Sequence, residues 1–516
     1  MLLVGLARGP ATPACRLALF RAHILLETDA IISSRKIMKH KHPIPEAGLS
    51  RRQFLRNAAV CSAGFMILPG VVVGLRGAAP SRKLNLAGIG FGGQGAVDLA
   101  AMESENIVAL CDVDQHYAAP IFTKYPKAKR FTDYRKMLDE MKEIDAVVVA
   151  TPDHHHAFAS MEAIKRGKHV YCEKPLTHSV WEARQVAKAA REAKIATQMG
   201  NQGQASQSTR RLCELVWSGV IGKILEAHIW TDRPSQGLAK EYWPQGVSRP
   251  QDTPPTPASL DWDLWLGPAP LRPYHPAYLP FKWRGWWDFG TGALGDMGCH
   301  VMDPIFRALK LGAPVSVQAA STRVNEETYP LGSMVTYQFP ARDATPQSIN
   351  RHIAGLSGKV AGGIEMPACK VIWYDGGLRP PRPDGLPEGR KMGDNGRLLI
   401  GEKGFILGGS QEGAIIYPES CAKEAAEVAH TIPQSLGHYQ EWIEACKGEK
   451  AAGSNFDFAG PLTESVLLGN VALRVQLREE LTLYRLLWDS ASLKFTNLDE
   501  ANKFIKREYR QGWSLW

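Results

Sequence analysis

The segment GIGFGGQG, residues 88–95, closes a buried-strand pattern, KLNLAGIG (83–90). Gly88, Gly90 and Gly93 fit GxGxxG. In that pattern the first glycine permits a tight turn, and the second lets the backbone approach a pyrophosphate. The third allows close helix–strand packing, and the helix N-terminus that follows stabilises an anion. Glycine clusters alone mostly mark turns. Here Asp112 stands nineteen residues beyond Gly93, at the end of the next strand pattern, NIVALCD (106–112). A carboxylate there accepts hydrogen bonds from ribose hydroxyls and repels a 2′-phosphate. The two signals together predict a dinucleotide site that favours NAD over NADP, with Gly88, Gly90, Phe91, Gly92, Gly93 and Asp112 as cofactor contacts.

The same grammar continues outward. YRKMLDEM (134–141) has helical period, IDAVVVATP (144–152) is a β-branched run ended by proline, and HVYCEKP (169–175) is a further strand. EARQVAKAAREAK (182–194) reads as a helix and IATQMGNQ (195–202) as a strand. Strands separated by helices of this length predict βαβ units, a doubly wound parallel sheet of Rossmann type spanning 81–203. The pattern then changes. Residues 232–290 are rich in Pro, Trp and Gly and read as an ordered insertion. The stretches 315–324, 333–339, 368–375 and 397–409 alternate, which predicts an antiparallel sheet, while 378–396 reads as a surface loop and 464–477 as a helix. The expected class is α/β, a Rossmann domain plus a C-terminal α+β domain over 204–485, followed by an extension over 486–516.

At 516 residues the chain exceeds what one compact core buries. Its formal charge of +9 would point to nucleic acid if it were spread over the fold. Residues 1–80 hold eleven Lys and Arg against three Asp and Glu, which leaves only +1 for residues 81–516. The basic balance belongs to a leader, and no nucleic-acid surface is implied. That leader contains SRRQFLR (50–56), then an uncharged Ala/Gly-rich stretch to Leu75. The pattern resembles a twin-arginine export signal, with a periplasmic destination and no stable membrane span. An uncleaved leader acting as an anchor is the alternative. Met38, followed by Lys39, His40 and Lys41, reads as a more usual start than Met1. The nine cysteines form no CxxC pair, and no His/Cys/Asp cluster has ligand spacing, so no metal is expected.

Three motifs carry chemistry. TPDHHHA (151–157) places Thr151 and Pro152 at the carboxyl end of a strand beside the cofactor, with His156 either touching ribose or capping the next helix. EKP (173–175) ends the following strand at the same edge, which puts Glu173 and Lys174 by the cofactor crevice. GALGDMGCHVMD (292–303) sets Asp296 and His300 one helical turn apart among glycines, which let a helix start pass close to a ligand where a Cβ would collide. Hydride leaves a carbinol carbon only if the hydroxyl proton leaves too. An imidazole, with an ordinary pKa near ~6.5, suits that transfer. A lysine stabilises the developing alkoxide, and an acid one turn away orients substrate or supports an imidazolium. Trp and Tyr stack on sugar faces, so one or two of the 14 Trp are expected near the pocket.

The glycine loop, Asp112, TPDHHH, GKHVYCEKPL and GALGDMGCH, in this order over residues 83–480, resemble the Gfo/Idh/MocA family. The resemblance implies a Rossmann domain with an open, mostly antiparallel C-terminal sheet. It further implies NAD(P)-dependent oxidation or reduction of a carbinol on a sugar, cyclitol or related polyol. Lys174 is similar to the family lysine that contacts the reacting hydroxyl and the cofactor. Asp296 is similar to the substrate-orienting acid, and His300 to the proton-transfer residue. The X-Pro bond before Pro175 is expected to be cis. NAD is expected to be held tightly and the chain to self-associate. A second reading in the same fold is glycoside hydrolysis or elimination, in which transient oxidation acidifies the neighbouring carbon and retained NADH reverses it.

Overall fold

Six short strands whose residues are mostly apolar set the frame: β1 (Asn85–Ile89), β2 (Asn106–Cys111), β3 (Lys129–Phe131), β4 (Ala146–Val149), β5 (His169–Glu173) and β6 (Thr197–Gly200). The computed structural model describes residues 83–236, 240–342, 366–409 and 414–516, so the readings placed on the leader lie outside the described residues. The six strands are all parallel, in the order β3-β2-β1-β4-β5-β6. Ala146 to Val149 are buried throughout, as expected where helices cover both faces of a parallel sheet. The order reverses between β1 and β4, and a ligand crevice forms outside the strand ends at such a point. The glycine loop, Thr151-Pro152 and the EKP segment all lie at that edge.

The second sheet has nine strands. It begins with β7 (Ile224–Trp230), an interior strand, and β8 (Ser235–Gln236) and β9 (Lys240–Glu241) form a separate ribbon. Then come β10 (Ser316–Ser321), β11 (Ser333–Phe339), β12 (Cys369–Tyr374), β13 (Gly396–Gly401), β14 (Phe405–Gly409), β15 (Ile415–Tyr417), β16 (Leu486–Asp489) and β17 (Lys494–Phe495). The order is β15-β14-β13-β7-β12-β11-β10-β16-β17, antiparallel except for β7 with β12. The last two strands lie in the stretch read from sequence as a C-terminal extension.

The helix Phe456–Arg474 connects the two sheets. It packs on β10 and β11 and also on the helix Val180–Ala193 of the Rossmann layer. Val180–Ala193 begins with a reciprocal capping box between Ser179 and Glu182. Two-point pairing of Arg184 with Glu464 fastens the contact. The same long helix supports Gly292–Val301, the helix that carries Asp296 and His300. A Cβ on Gly298 would stand 3.0 Å from a Val466 methyl, one on Gly295 would overlap the Thr291 side chain, and Gly292, at φ +66°, faces the Tyr329 ring. These glycines therefore serve packing within the protein, which corrects the expectation that they clear room for a ligand. Among the described residues no helix is long and apolar enough to cross a membrane.

Candidate active site

A cavity of about 430 Å³ lies against the crevice edge of the Rossmann sheet. Gly90, Gly92, Gly93, Asp112, Thr151, Pro152, His156, Glu173, Lys174, Asp296 and His300 all line it, so motifs spread over more than two hundred residues meet at one site. Gly88 and Phe91 are not among the lining residues. Gly88 lies within β1, where a Cβ would stand 3.0 Å from Leu99, and the Phe91 side chain is fully buried, edge-on to Phe122 at 5.1 Å. Phe91 acts through its backbone, whose N–H donates to Asp112 Oδ2 at 3.0 Å.

The glycine roles also shift by two residues along the chain. Gly90 takes φ +74° and sits so close to β4 that a Cβ would be 2.9 Å from the Thr151 backbone. The close-packing glycine is Gly95, not Gly93, since a Cβ on Gly95 would meet the Gly90 carbonyl oxygen at 2.3 Å. Gly93 is left as the N-cap of the helix Gln94–Ala101, which has no side-chain cap, and Gly93 and Gln94 line the cavity at this helix start. Asp112 accepts from the Phe91 and Asp114 N–H groups, both at 3.0 Å. Burial outweighs these bonds and pushes its carboxyl up to about 6. A carboxylate has about four lone-pair sites, so acceptor capacity remains for a ribose hydroxyl. Thr151 Oγ1 is buried and has no hydrogen-bond partner among the described residues. The cradle, the acid with acceptor capacity to spare and the orphaned hydroxyl all fit a dinucleotide.

The three histidines of TPDHHHA are buried supports. His156 lies between two carbonyl oxygens, 2.7 Å from Pro175 O and 2.8 Å from Thr151 O, and ties the loop after β4 to the loop after β5. Burial pushes it down to about 4, so a neutral ring donates to one carbonyl at a time. Although its ring borders the cavity, its hydrogen bonds do neither of the jobs expected of it. His154 and His155 both reach the Trp265 carbonyl, at 3.0 and 2.9 Å, and hold the insertion against the Rossmann layer.

At the other end of the cavity, the Lys174–Pro175 bond is cis. Lys174 Nζ donates to Asp296 Oδ1 at 2.7 Å. Arg284 Nε donates to the same oxygen at 2.9 Å, and its guanidinium lies over the Trp283 and Phe281 rings. Burial opposes the charge on Asp296, but Lys174 and Arg284 overcome it and hold the carboxyl well below the ordinary range. Asp296 thus serves two cations, and no hydrogen bond joins it to His300. Burial first, and Lys174 second, push His300 down to about 3, against the near-neutral value expected from sequence. A cavity-lining imidazole in this state is unprotonated, with a free acceptor.

Several lining residues gave no sequence signal of their own. Arg284 is one. Asp153 is another: its Oδ2 accepts from Thr291 Oγ1 at 2.5 Å, and burial raises it to about 7. Gln202 is a third, and its side-chain amide donates to Glu173 Oε1 at 2.8 Å. Trp265, Trp283 and Trp513 line the cavity, three tryptophans where one or two were expected.

Glu173 is buried, also accepts the Lys174 backbone N–H at 3.2 Å, and is raised to about 8 by burial and then by the neighbouring Asp98 carboxyl. Two carboxyls so placed do not both ionise near neutrality. Because the folded value exceeds the unfolded one (about 4.3), the stability Glu173 contributes is complete below about pH 4 and disappears as pH rises through about 8. Glu173→Gln is expected to flatten the fall in unfolding free energy between pH 5 and 8 by on the order of 2 kcal/mol. Urea titrations at several pH values check this, and equal slopes for variant and wild type would refute it.

Residues 83–201 match the model of the Gfo/Idh/MocA oxidoreductase family, NAD-binding Rossmann fold, and residues 205–343 match the C-terminal alpha/beta domain of the same family. Inositol 2-dehydrogenase of Salmonella typhimurium is 27% identical over 150 residues, 28% of this chain and 44% of that protein. Glycosyl hydrolase family 109 protein 1 of Akkermansia muciniphila is 27% identical over 160 residues, 28% of this chain and 32% of that one. The chain thus spans less than half the length of these curated relatives. The WlbA dehydrogenase of Bordetella pertussis, solved with NADH and UDP-GlcNAcA, superposes with a TM-score of 0.51 at 16% identity, covering 79% of this chain and 99% of that one, a likeness of fold.

Proposed function

The chain belongs to the Gfo/Idh/MocA oxidoreductase family, and from that premise we propose that it moves a hydride between NAD(H) and a carbinol of a sugar, glycoside or polyol. The observation that carries this reading is the ion pair of Lys174 with Asp296, which lines one cavity with His300 and the glycine loop. The glycine loop, the helix N-terminus after Gly93, Asp112 and Thr151 would hold the dinucleotide, whose bound nicotinamide supplies the hydride acceptor or donor.

The chain's own groups handle the oxygen. Lys174, fixed by Asp296, donates to the substrate hydroxyl and stabilises negative charge as it develops. His300, unprotonated and free of hydrogen bonds among the described residues, takes the proton. Arg284 and Asp296 order the cations around that oxygen, and the surrounding aromatic rings exclude water. The SRRQFLR leader is taken to direct export, with anchoring by an uncleaved leader as the alternative. The open second sheet is taken as the surface for self-association.

The test is to incubate the purified protein with NAD and a panel of sugars, polyols and glycosides. NADH fluorescence and oxidised product are expected, and His300→Ala is expected to lower kcat by about 10²–10⁴-fold with NADH affinity kept. The second reading, glycoside cleavage by transient oxidation, draws on the likeness to the family 109 hydrolase. Aglycone release without net NADH would favour it. Undiminished turnover in His300→Ala would remove His300 from the mechanism.

A further inference from the structure

The cavity has a wall that does not come from the Rossmann layer. Beyond Asp112 it is bordered by Thr132, Asp133 and Tyr134, by His155, and by Leu264 and Trp265 of the insertion. Trp513, three residues before Trp516, completes this end. The chain has by then returned from the far edge of the second sheet, where β17 ends, to cross the Rossmann layer.

The return is fixed at successive points. Trp181 N–H donates to the Ile505 carbonyl at 3.0 Å. Arg507 donates to Glu182 Oε1 at 2.8 Å and to the His154 carbonyl at 2.6 Å, and Tyr509 OH donates to the same Glu182 oxygen at 3.0 Å. Glu182 is fully buried, and its other oxygen closes the capping box. Arg510 then binds the insertion. Its guanidinium pairs with Asp263 at 2.5 Å, and its N–H donates to the Pro268 carbonyl at 3.0 Å. Trp513 therefore arrives at the cavity already oriented. Its ring is edge-on to His155 at 5.6 Å and to Phe158 at 5.7 Å, and the Arg135 guanidinium lies 4.6 Å from the ring. A tail that only covered an apolar face would bury its largest side chain there. This one leaves Trp513 half-buried, against a cavity.

We propose that the tail 505–516 forms the outer wall of the adenosine end of the cofactor cavity, with Trp513 as the aromatic surface against which the adenine-bearing half of the dinucleotide packs. The inference rests on the NAD(H) reading above. Asp112 marks where the adenosine ribose binds, and Trp513 stands on that side, away from Lys174 and His300. Bases pack on aromatic faces whatever their sequence, and loss of such a face costs about tenfold or more in affinity.

The probes are ADP, which has no nicotinamide, and NADH, titrated calorimetrically into the full chain. Trp513→Ala is expected to weaken both by about tenfold, Trp513→Phe to restore most of the loss, and His300→Ala to leave ADP binding as in wild type. Trp513→Ala binding ADP as tightly as wild type would overturn the proposal and leave the redox reading standing. Amide hydrogen exchange of the wild type gives a readout that no folding defect touches. ADP is expected to slow exchange across 505–516, and an unchanged tail would overturn the proposal. A wild type that binds neither nucleotide would overturn the NAD(H) reading and this inference with it.

Discussion

Lys174→Met is expected to lower kcat by about 10²–10³-fold, the effect of removing one preorganised donor from a developing oxyanion. Methionine keeps much of the length and apolar stem but carries no proton to donate. The fold is expected to survive, because Asp296 keeps its 2.9 Å bond to Arg284 and is not left as an unpaired buried charge. NADH affinity is expected to fall far less than kcat, since the glycine loop, Asp112 and Thr151 hold the dinucleotide. Lys174→Arg is not expected to rescue, because a planar fork does not replace a compact ammonium at one oxygen. Steady-state rates with the substrate found in the panel, together with NADH titrations, check the set. A kcat within about threefold of wild type would exclude Lys174 as the stabilising cation, on the same scale of donor effects.

How far the sequence reached follows from what each residue depends on. The Rossmann order was legible because β1, β4 and β5 are apolar runs with motifs at their ends. The third strand, Lys129–Phe131, was not marked because two of its three residues are charged. It exists by pairing with β2, which no local pattern records. Lys174, Asp296 and His300 were found through spacing within short motifs. Arg284 was not found, because its role is defined by one oxygen on a helix twelve residues later and by two flanking rings. Glycines were legible as a cluster and not one by one. Whether Gly93 or Gly95 meets the strand depends on the path of the loop after Gly90. The histidine triplet drew attention by composition, yet its partners are carbonyl oxygens of Thr151, Pro175, Trp265 and Phe289, and carbonyls leave no trace in a sequence. Ionisation was the least legible property, since the shift of His300 to about 3 arises mainly from burial.

Asp296→Asn is expected to be costly twice over. One carboxylate oxygen accepts both Lys174 Nζ and Arg284 Nε, and all three side chains are at most 15% exposed. An amide of the same shape keeps one acceptor oxygen but removes the charge, leaving the two cations without the carboxylate that both of them pair with. Breaking a buried pair from one side costs about 3 kcal/mol. The pH dependence separates this from a packing defect. Asp296 has a folded value held below its unfolded one, near 3.9, so its stabilisation is complete above about pH 4 and lost as pH falls through the folded value. The gap between wild type and Asp296→Asn is therefore expected to be full at pH 7 and to narrow below about pH 4. Glu173→Gln changes stability in the opposite sense and between pH 5 and 8, so the two effects are resolved in one series of titrations. Turnover of Asp296→Asn is expected to fall by about 10²-fold or more, because a lysine released from its anchor no longer holds the reacting oxygen in place. Equal stability of variant and wild type at pH 7 would contradict the ion-pair argument. A gap that persists undiminished in acid would assign the loss to packing.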